Sequence, residues 1–461
     1  MSDIKQIGHW MNGGEVAGTG REQDVFNPAT GEVSGRVALA SVSDLEQAVD
    51  AARAALPAWR ATGLTKRAAV MFKLREIVTA KSDELARIIT AEHGKVVSDA
   101  AGEVVRGLEN VEYCAGLMHH LKGEFSEQVS SGVDVHSVRQ PVGIVACITP
   151  FNFPAMVPLW MVTTAIACGN TVILKPSERD PSAALWIAQA FKDAGLPDGV
   201  LNVVNGDKEA VDGILDHDDI KAVSFVGSTP IAQYIYERAS KNGKRVQALG
   251  GRIEVGVGEV ADPLVDKIAE RMGKLVIGDG FDERSEMGPL ITREARDRVA
   301  SYVAGATHEG ARVVVDGREK HFDESGFFIG TSLVDHVKPG MKVYDEEIFG
   351  PVLSVVRVET FEDAVELINA NQFANGVAIF TRDGKSAREF EFAIEVGMVG
   401  VNVPIPVPVG SFSFGGWKKS LFGDTHMYGA EAFNFYTRRK VVTTRWPDPT
   451  QSQVDLGFPT N

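Results

Sequence analysis

Pro141 to Glu178 reads PVGIVACITPFNFPAMVPLWMVTTAIACGNTVILKPSE, two apolar runs separated by a segment of helical length. Val142 to Ile148 shows no polar alternation, the pattern of a parallel strand covered on both faces. Thr149, Pro150 and Asn152 interrupt it. Phe153 to Cys168 is apolar all round, as a buried helix is, and Gly169-Asn170 stops it before a second apolar run, Thr171 to Leu174. Lys175-Pro176-Ser177-Glu178 then closes that strand with a cation, a hydroxyl and a carboxylate. Ligands of open parallel α/β sheets lie beyond the carboxyl ends of the strands, so this βαβ unit reads as a nucleotide-binding core.

Working outward, further strands are expected at Val200–Val204, Ala222–Val226 and Arg245–Leu249, with helices at Ser182–Ala194, Glu209–Leu215 and Pro230–Ser240. With the first unit these make a doubly wound parallel sheet. Its fourth strand runs into Gly227-Ser228-Thr229-Pro230, a helix start whose free N–H groups suit a phosphate, although any capped helix has this form. On the N-terminal side, residues 1–40 read as short strands and turns. A helix over Ser43–Trp59 is expected, with Ser43 as N-cap and Glu46 in the capping-box position. Helices over Lys66–Thr79, Ser82–His93 and Asp99–Leu121 follow.

Gln128–Arg139 alternates around a Ser-Gly turn as a half-exposed hairpin does, and Tyr436–Trp446 is a second strand-like segment. Together they suit an oligomerisation sheet, with a surface flap as the plainer alternative. After Gly251 a second α/β unit begins. Its strands are expected at Ile253–Val257, Arg312–Val315, Phe327–Leu333, Val352–Val358, Val377–Thr381 and Met398–Val401. Its helices are expected at Pro263–Leu275, Thr292–His308, Phe361–Asn371 and Lys385–Val396.

With 461 residues, 44% hydrophobic and 24% charged, the composition is that of a globular protein of two or three domains. A net charge of −15 argues against nucleic acid as the main ligand. The apolar segment Phe153–Gly169 contains Pro154 and Pro158 and falls short of the ~20 residues of a membrane span. The N-terminus MSDIKQIGHWMNGG carries no signal-peptide pattern, which makes a cytoplasmic protein the expectation. Cys114, Cys147 and Cys168 form no C-x-x-C pair and read as free thiols of a reducing compartment. No metal site is expected.

Several segments, in order, resemble the aldehyde dehydrogenase superfamily: TPFNFP at Thr149–Pro154, KPSE at Lys175–Glu178, FVGST at Phe225–Thr229, LGG at Leu249–Gly251 and EEIFGP at Glu346–Pro351. The wording FNFPAMVPLWM, ILKPSERDPS and NVPIPVPVGSFSFGGWKKSLFGD is similar to that of the CoA-acylating methylmalonate-semialdehyde dehydrogenases. The resemblance implies an NAD-binding domain over residues 1–127 and 140–250, a catalytic domain over 251–435, and a small β arm over 128–139 and 436–461 that builds a dimer or tetramer. It implies NAD as cofactor, with Lys175 and Glu178 at the adenosine ribose, Arg179 nearby and Ser228 at the phosphates. Thr149 and Phe151 would line the cofactor, and Glu347 and Phe349 would hold the nicotinamide ribose. Asn152 would donate to a developing oxyanion, and Arg106 would take the carboxylate of a semialdehyde substrate. Ala248 stands where water-using relatives carry a general-base Glu, in keeping with coenzyme A as acyl acceptor.

The departure from the family comes after Gly251. There the family continues with a strand, a helix and a Gly-rich turn bearing the nucleophilic cysteine, preceded in this subgroup by a second arginine. Here LGG runs directly into RIEVGVGEVADPLVDKIAERM, so about 35 residues, the size of one βα unit, are missing. Thiolate attack on the aldehyde is the route of this chemistry. None of the three cysteines fits the role, Cys147 being the nearest substitute, and no nucleophile is assigned. The expectation is an inactive methylmalonate- or malonate-semialdehyde dehydrogenase. Its alternatives are a noncatalytic NAD-binding or assembly subunit, and an incomplete gene record of an active enzyme.

Overall fold

The computed structural model describes residues 4–249, 256–257 and 261–446. The junction expected around Gly250–Ile253 lies outside the described residues, as does the arm beyond Trp446.

The chain opens with β1 (Lys5–Ile7), β2 (His9–Met11), β3 (Gly14–Val16), β4 (Glu22–Asn27) and β5 (Glu32–Ala38). Helices α1 (Val42–Ala61), α2 (Leu64–Ala80), α3 (Ser82–His93), α4 (Val97–Ala115) and the short α5 (Leu117–His120) follow. Next come β6 (Phe125–Ser130), β7 (Val133–Pro141), β8 (Ile144–Ile148), α6 (Met156–Ala167) and β9 (Thr171–Lys175). The alternation continues with α7 (Ser182–Asp193), β10 (Leu201–Val203), α8 (Lys208–Asp216), β11 (Ile220–Val226), α9 (Thr229–Lys241) and β12 (Arg245–Leu249).

The main sheet runs β12-β11-β8-β9-β10, these neighbours all parallel, and β2 and β3 extend the β10 edge. This is the doubly wound sheet read from the sequence. Strand β8 lies at its centre with all five residues buried, and α6 behind it is buried at every position. That full burial is why neither element shows amphipathic periodicity.

The second unit starts with β13 (Gly256–Val257), the described end of the strand expected from Ile253, and α10 (Ala261–Gly273), α11 (Arg293–Ala306) and β14 (Arg312–Val315). It continues through β15 (Ser332–Val337), α12 (Lys342–Asp345), β16 (Val352–Arg357), α13 (Phe361–Ala370), β17 (Phe373–Ala374), β18 (Gly376–Ile379), α14 (Gly384–Ala393) and β19 (Met398–Val401). Last are β20 (Trp417–Lys418), β21 (Leu421–Phe422), α15 (Ala430–Phe435) and β22 (Thr437–Arg445). Among the described residues its strands form a four-stranded sheet, β13-β16-β15-β14, and a separate parallel pair, β18-β19. Strand β21 leaves this unit and pairs antiparallel with β12. The expected hairpin and C-terminal strand come together as the sheet β22-β7-β6.

Three local expectations change. Helix α1 is capped by Ser41, not Ser43. Ser41 Oγ accepts from Asp44 N at 3.2 Å, and Asp44 Oδ2 accepts from Ser41 N at 2.9 Å. Asp44 also accepts from Thr19 Oγ1 at 2.9 Å, a tertiary partner that fixes the earlier cap, and Glu46 turns to His217 instead. The helix expected over Asp99–Leu121 breaks at Gly116 into α4 and α5. The strand expected at Phe327–Leu333 begins only at Ser332, because Phe327 exchanges backbone hydrogen bonds with Pro28 and Leu290 and is held in a loop.

No helix of the described residues is long and apolar enough to cross a membrane.

Asn170 fastens the arm to the central sheet. Its Oδ1 accepts from Gly143 N at 3.0 Å, and its fully buried side chain donates through Nδ2 to Ala165 O at 2.9 Å and Tyr436 O at 3.0 Å. Asn170→Ala leaves several buried polar groups short of partners and is expected to cost on the order of 3 kcal/mol. A lowered denaturant midpoint is the readout, and an unchanged midpoint refutes this role.

Candidate functional site

The strand ends are brought level by register. Ile148 of β8 stands opposite Lys175 of β9 on one side and Phe225 of β11 on the other. The residues that follow each strand therefore emerge at one edge: the Thr149–Phe153 turn, Lys175–Glu178 and Gly227–Ser228. Thr149 N donates to Lys175 O at 3.0 Å, which continues the β8–β9 pairing into the turn.

Two of the groups at this edge have unused capacity. Thr149 Oγ1 is buried without a partner among the described residues. Ser228 is the exposed N-cap of α9, its side chain makes no capping bond, and Pro occupies the first turn of the helix. A helix of this length starting so presents free N–H groups and positive dipole charge. Lys175, buried in the strand end, holds Glu178 Oε2 at 3.2 Å. That pair offers a donor and an acceptor side by side, as vicinal ribose hydroxyls require.

Phe151 joins these elements to the second unit. The Arg179 guanidinium lies 5.3 Å from its ring centroid, and the His93 ring is stacked on it at 6.2 Å. Phe349 meets it edge-on at 5.5 Å. Phe349 has φ 50° and is 43% exposed. A bulky residue in the left-handed region is strained, and such residues persist where a site needs them. Glu347 is two residues before it, its backbone O accepting from Arg298 Nη1 at 3.3 Å. The structure thus brings Thr149, Phe151, Asn152, Lys175, Glu178, Arg179 and Phe349 together, with Ser228 on the same sheet edge.

Arg106 occupies a different wall. It lies on α4, whose Gly107 allows close approach to α6: a Cβ there would sit 2.6 Å from Leu159 Cδ1. Trp160 Nε1 donates to Arg106 O at 3.4 Å, and Trp160 packs on Phe414 at 5.3 Å and on Tyr428 at 4.8 Å. The Arg106 side chain is 42% exposed and pairs with Glu109 at 3.1 Å. It remains accessible to a second carboxylate.

All three cysteines are buried. Burial pushes the thiols of Cys114 and Cys147 up to about 12, and raises that of Cys168 well above the ordinary range. Thiolate is therefore scarce at each of them at neutral pH.

The sequence reading passed over His93, Lys95 and Glu103. Lys95 Nζ contacts Glu103 Oε2 at 2.5 Å and donates to Asn152 O at 2.7 Å. The available signal was Glu103 itself, a charged residue in the buried stripe Ala100, Glu103, Val104, Gly107 of α4. His93 Nδ1 accepts from Lys95 N at 3.3 Å, a role open only to a ring unprotonated at that nitrogen.

The Aldehyde dehydrogenase family profile matches residues 16–262 and 252–442, two segments that meet at the expected junction. A malonate-semialdehyde dehydrogenase of Pseudomonas aeruginosa is 51% identical over 490 positions, covering 98% of this chain and 99% of its own. That alignment is 29 positions longer than the 461 residues of the chain, so it includes gaps on this side. The crystal structure of methylmalonate-semialdehyde dehydrogenase from Oceanimonas doudoroffii superposes with TM-score 0.95 at 52% identity, covering 97% of this chain and 99% of its own. The NAD complex of a Sinorhizobium meliloti protein assigned as a methylmalonate-semialdehyde dehydrogenase superposes with TM-score 0.96 at 48% identity, over 98% and 100% of the two chains.

Burial and the Lys95 charge lower the pKa of His93 from 6.5 to about 3. The unfolded chain then binds the extra proton first, so this contribution to stability is complete above pH 6.5 and is lost as pH falls toward 3. The loss approaches ~1.4 kcal/mol per pH unit. Denaturation midpoints of the parent protein should fall between pH 6.5 and 5 more steeply than those of His93→Gln. Parallel slopes for the two proteins would refute a neutral His93.

Proposed function

The chain belongs to the aldehyde dehydrogenase family, in its methylmalonate- and malonate-semialdehyde dehydrogenase branch, and on that premise we propose that it binds NAD but does not complete the branch's oxidation by itself. The observation that carries the cofactor reading is the level register of β8, β9 and β11, which gathers Thr149, Lys175 and Ser228 at one sheet edge. Lys175 and Glu178 bind the adenosine ribose, with Arg179 beside them. Ser228 and the first turn of α9 bind the phosphates. Thr149 and Phe151 line the cofactor, and Glu347 and Phe349 hold the nicotinamide ribose from the second unit. NAD, when bound, supplies the hydride acceptor.

Arg106 binds the carboxylate of methylmalonate or malonate semialdehyde. Asn152 offers an amide N–H to the aldehyde oxygen, where negative charge would develop. What this arrangement lacks is a nucleophile. The branch reaction yields propionyl- or acetyl-coenzyme A through an acyl-thioester, and that requires a thiolate at the aldehyde carbon. The sequence carries only Cys114, Cys147 and Cys168. Their burial and raised thiol pKa values support the reading that none of them serves. Ala248, buried in β12, stands where water-using relatives carry a general-base Glu, which supports coenzyme A, not water, as the acyl acceptor of the branch.

A second reading, an assembly subunit, is favoured by the β22-β7-β6 sheet. It exposes Phe125 and Val129 on its β6 edge and Val441 on its β22 edge, apolar side chains that another copy would cover. The cellular setting we propose is the cytoplasm, where three unpaired thiols are stable.

Titration calorimetry should show saturable NAD binding, while mixtures with malonate semialdehyde and coenzyme A yield no NADH. Absence of NAD binding sinks the cofactor reading. Robust NADH formation abolished by Cys147→Ser sinks the reading of an inactive chain. Sequencing the source gene across the codons for Gly250–Ile253 decides whether an intact relative underlies this sequence, and sedimentation tests the homo-oligomer.

A further inference from the structure

Three consecutive residues of the Thr149–Phe153 turn are held by the short stretch 93–95, which closes α3 and leads into α4. His93 stacks on Phe151, while Lys95 Nζ donates to Asn152 O at 2.7 Å and lies 4.8 Å from the Phe153 ring centroid. The same ammonium contacts Glu103 Oε2 at 2.5 Å. The other oxygen of Glu103 accepts the N–H groups of Ala155 at 2.9 Å and Met156 at 3.2 Å, at the start of α6. One ion pair thereby grips both the carbonyl side and the amide side of the turn.

The pair is nearly dry, with side-chain exposures of 11% for Lys95 and 1% for Glu103. A buried ion pair is a poor device for stability alone, since desolvation offsets most of its attraction and a packed apolar pair often does as well. An apolar pair could not donate to Asn152 O or accept two N–H groups. Its distinctive contribution here is geometry.

The grip is referred to the second unit. Gly94 has φ 89° and packs against Gly280 and Gly288; a Cβ on Gly288 would lie 1.9 Å from Gly94 O. Val97 N donates to Gly280 O at 3.1 Å. The segment carrying Lys95 is therefore wedged between α4 and the loop 276–290, and the Thr149–Phe153 turn is located relative to both.

We propose that Lys95, together with Glu103, is a positioning residue that sets the pose of Phe151 and Asn152 toward the nicotinamide end of the cofactor. This rests on the reading that NAD lies against the Thr149–Phe153 turn. AMP, which reaches the Lys175–Glu178 ribose site and the phosphate site at Ser228 but not the nicotinamide end, separates positioning from general folding.

In the full chain, the double variant Lys95→Met/Glu103→Gln removes the charges together and keeps an acceptor for the Ala155 and Met156 amides. Calorimetry should show NAD affinity reduced about tenfold or more with AMP affinity held within about twofold. Equal weakening of both ligands, or no change in either, overturns the proposal. A parent protein that binds neither ligand sinks the cofactor reading and this proposal with it. A measurement on the parent protein covers the case of a variant that does not fold: hydrogen exchange of the 152–156 amides should slow with NAD and not with AMP. The same exchange with both ligands overturns the proposal.

Discussion

The parallel pairing of β8 with β9 and β11 is the constraint from which the site follows. A strand buried on both faces must have both of its hydrogen-bonding edges filled, and once they are, the three strand ends are fixed at a common level. The polar residues that terminate each run have only one direction to leave, toward solvent at the carboxyl edge. A register slip in β8 would reverse the faces of Ile144–Ile148 and displace Thr149 from Lys175 at the same time. Core packing and ligand geometry are thus a single specification.

Phe151 carries that specification across to the second unit. Arg179, His93 and Phe349 approach its ring from three different elements. Phe349 does so from a backbone conformation that costs of order 1–3 kcal/mol and must be held by the surrounding fold. The side chains beside the turn are an ion pair and a neutral imidazole, which fix orientation more than they add stability.

The burial that makes β8 a strong central strand also disqualifies its cysteine. Cys147 is two residues from Thr149, yet it lies buried inside the sheet, its Sγ 3.9 Å from Tyr436 Oη. Desolvation favours the neutral thiol, and among the described residues the hydrogen bond with Tyr436 offsets it only in part. Closeness along the sequence to a ligand site confers no reactivity when the side chain points into the core.

What the sequence determined by itself was what local pattern encodes. The apolar runs at Val142–Ile148 and Thr171–Leu174, the Gly169-Asn170 stop and the alternation after them specify the doubly wound sheet, and its rule for ligand placement specifies the edge where Thr149, Lys175 and Ser228 emerge. The ordered segments from TPFNFP to EEIFGP identify the family. Tertiary structure decided whatever depends on a partner distant in sequence. Ser41 became the α1 cap because Asp44 could also reach Thr19, and Phe327 stayed in a loop because Pro28 and Leu290 took its backbone groups. Glu103 takes its role only because α6 brings two free amides to it, and Lys95 only because Asn152 O meets its ammonium. Hydrophobic periodicity reports which face of an element is buried, whereas a polar side chain takes its role from whichever group meets it there, and only the folded chain fixes that meeting.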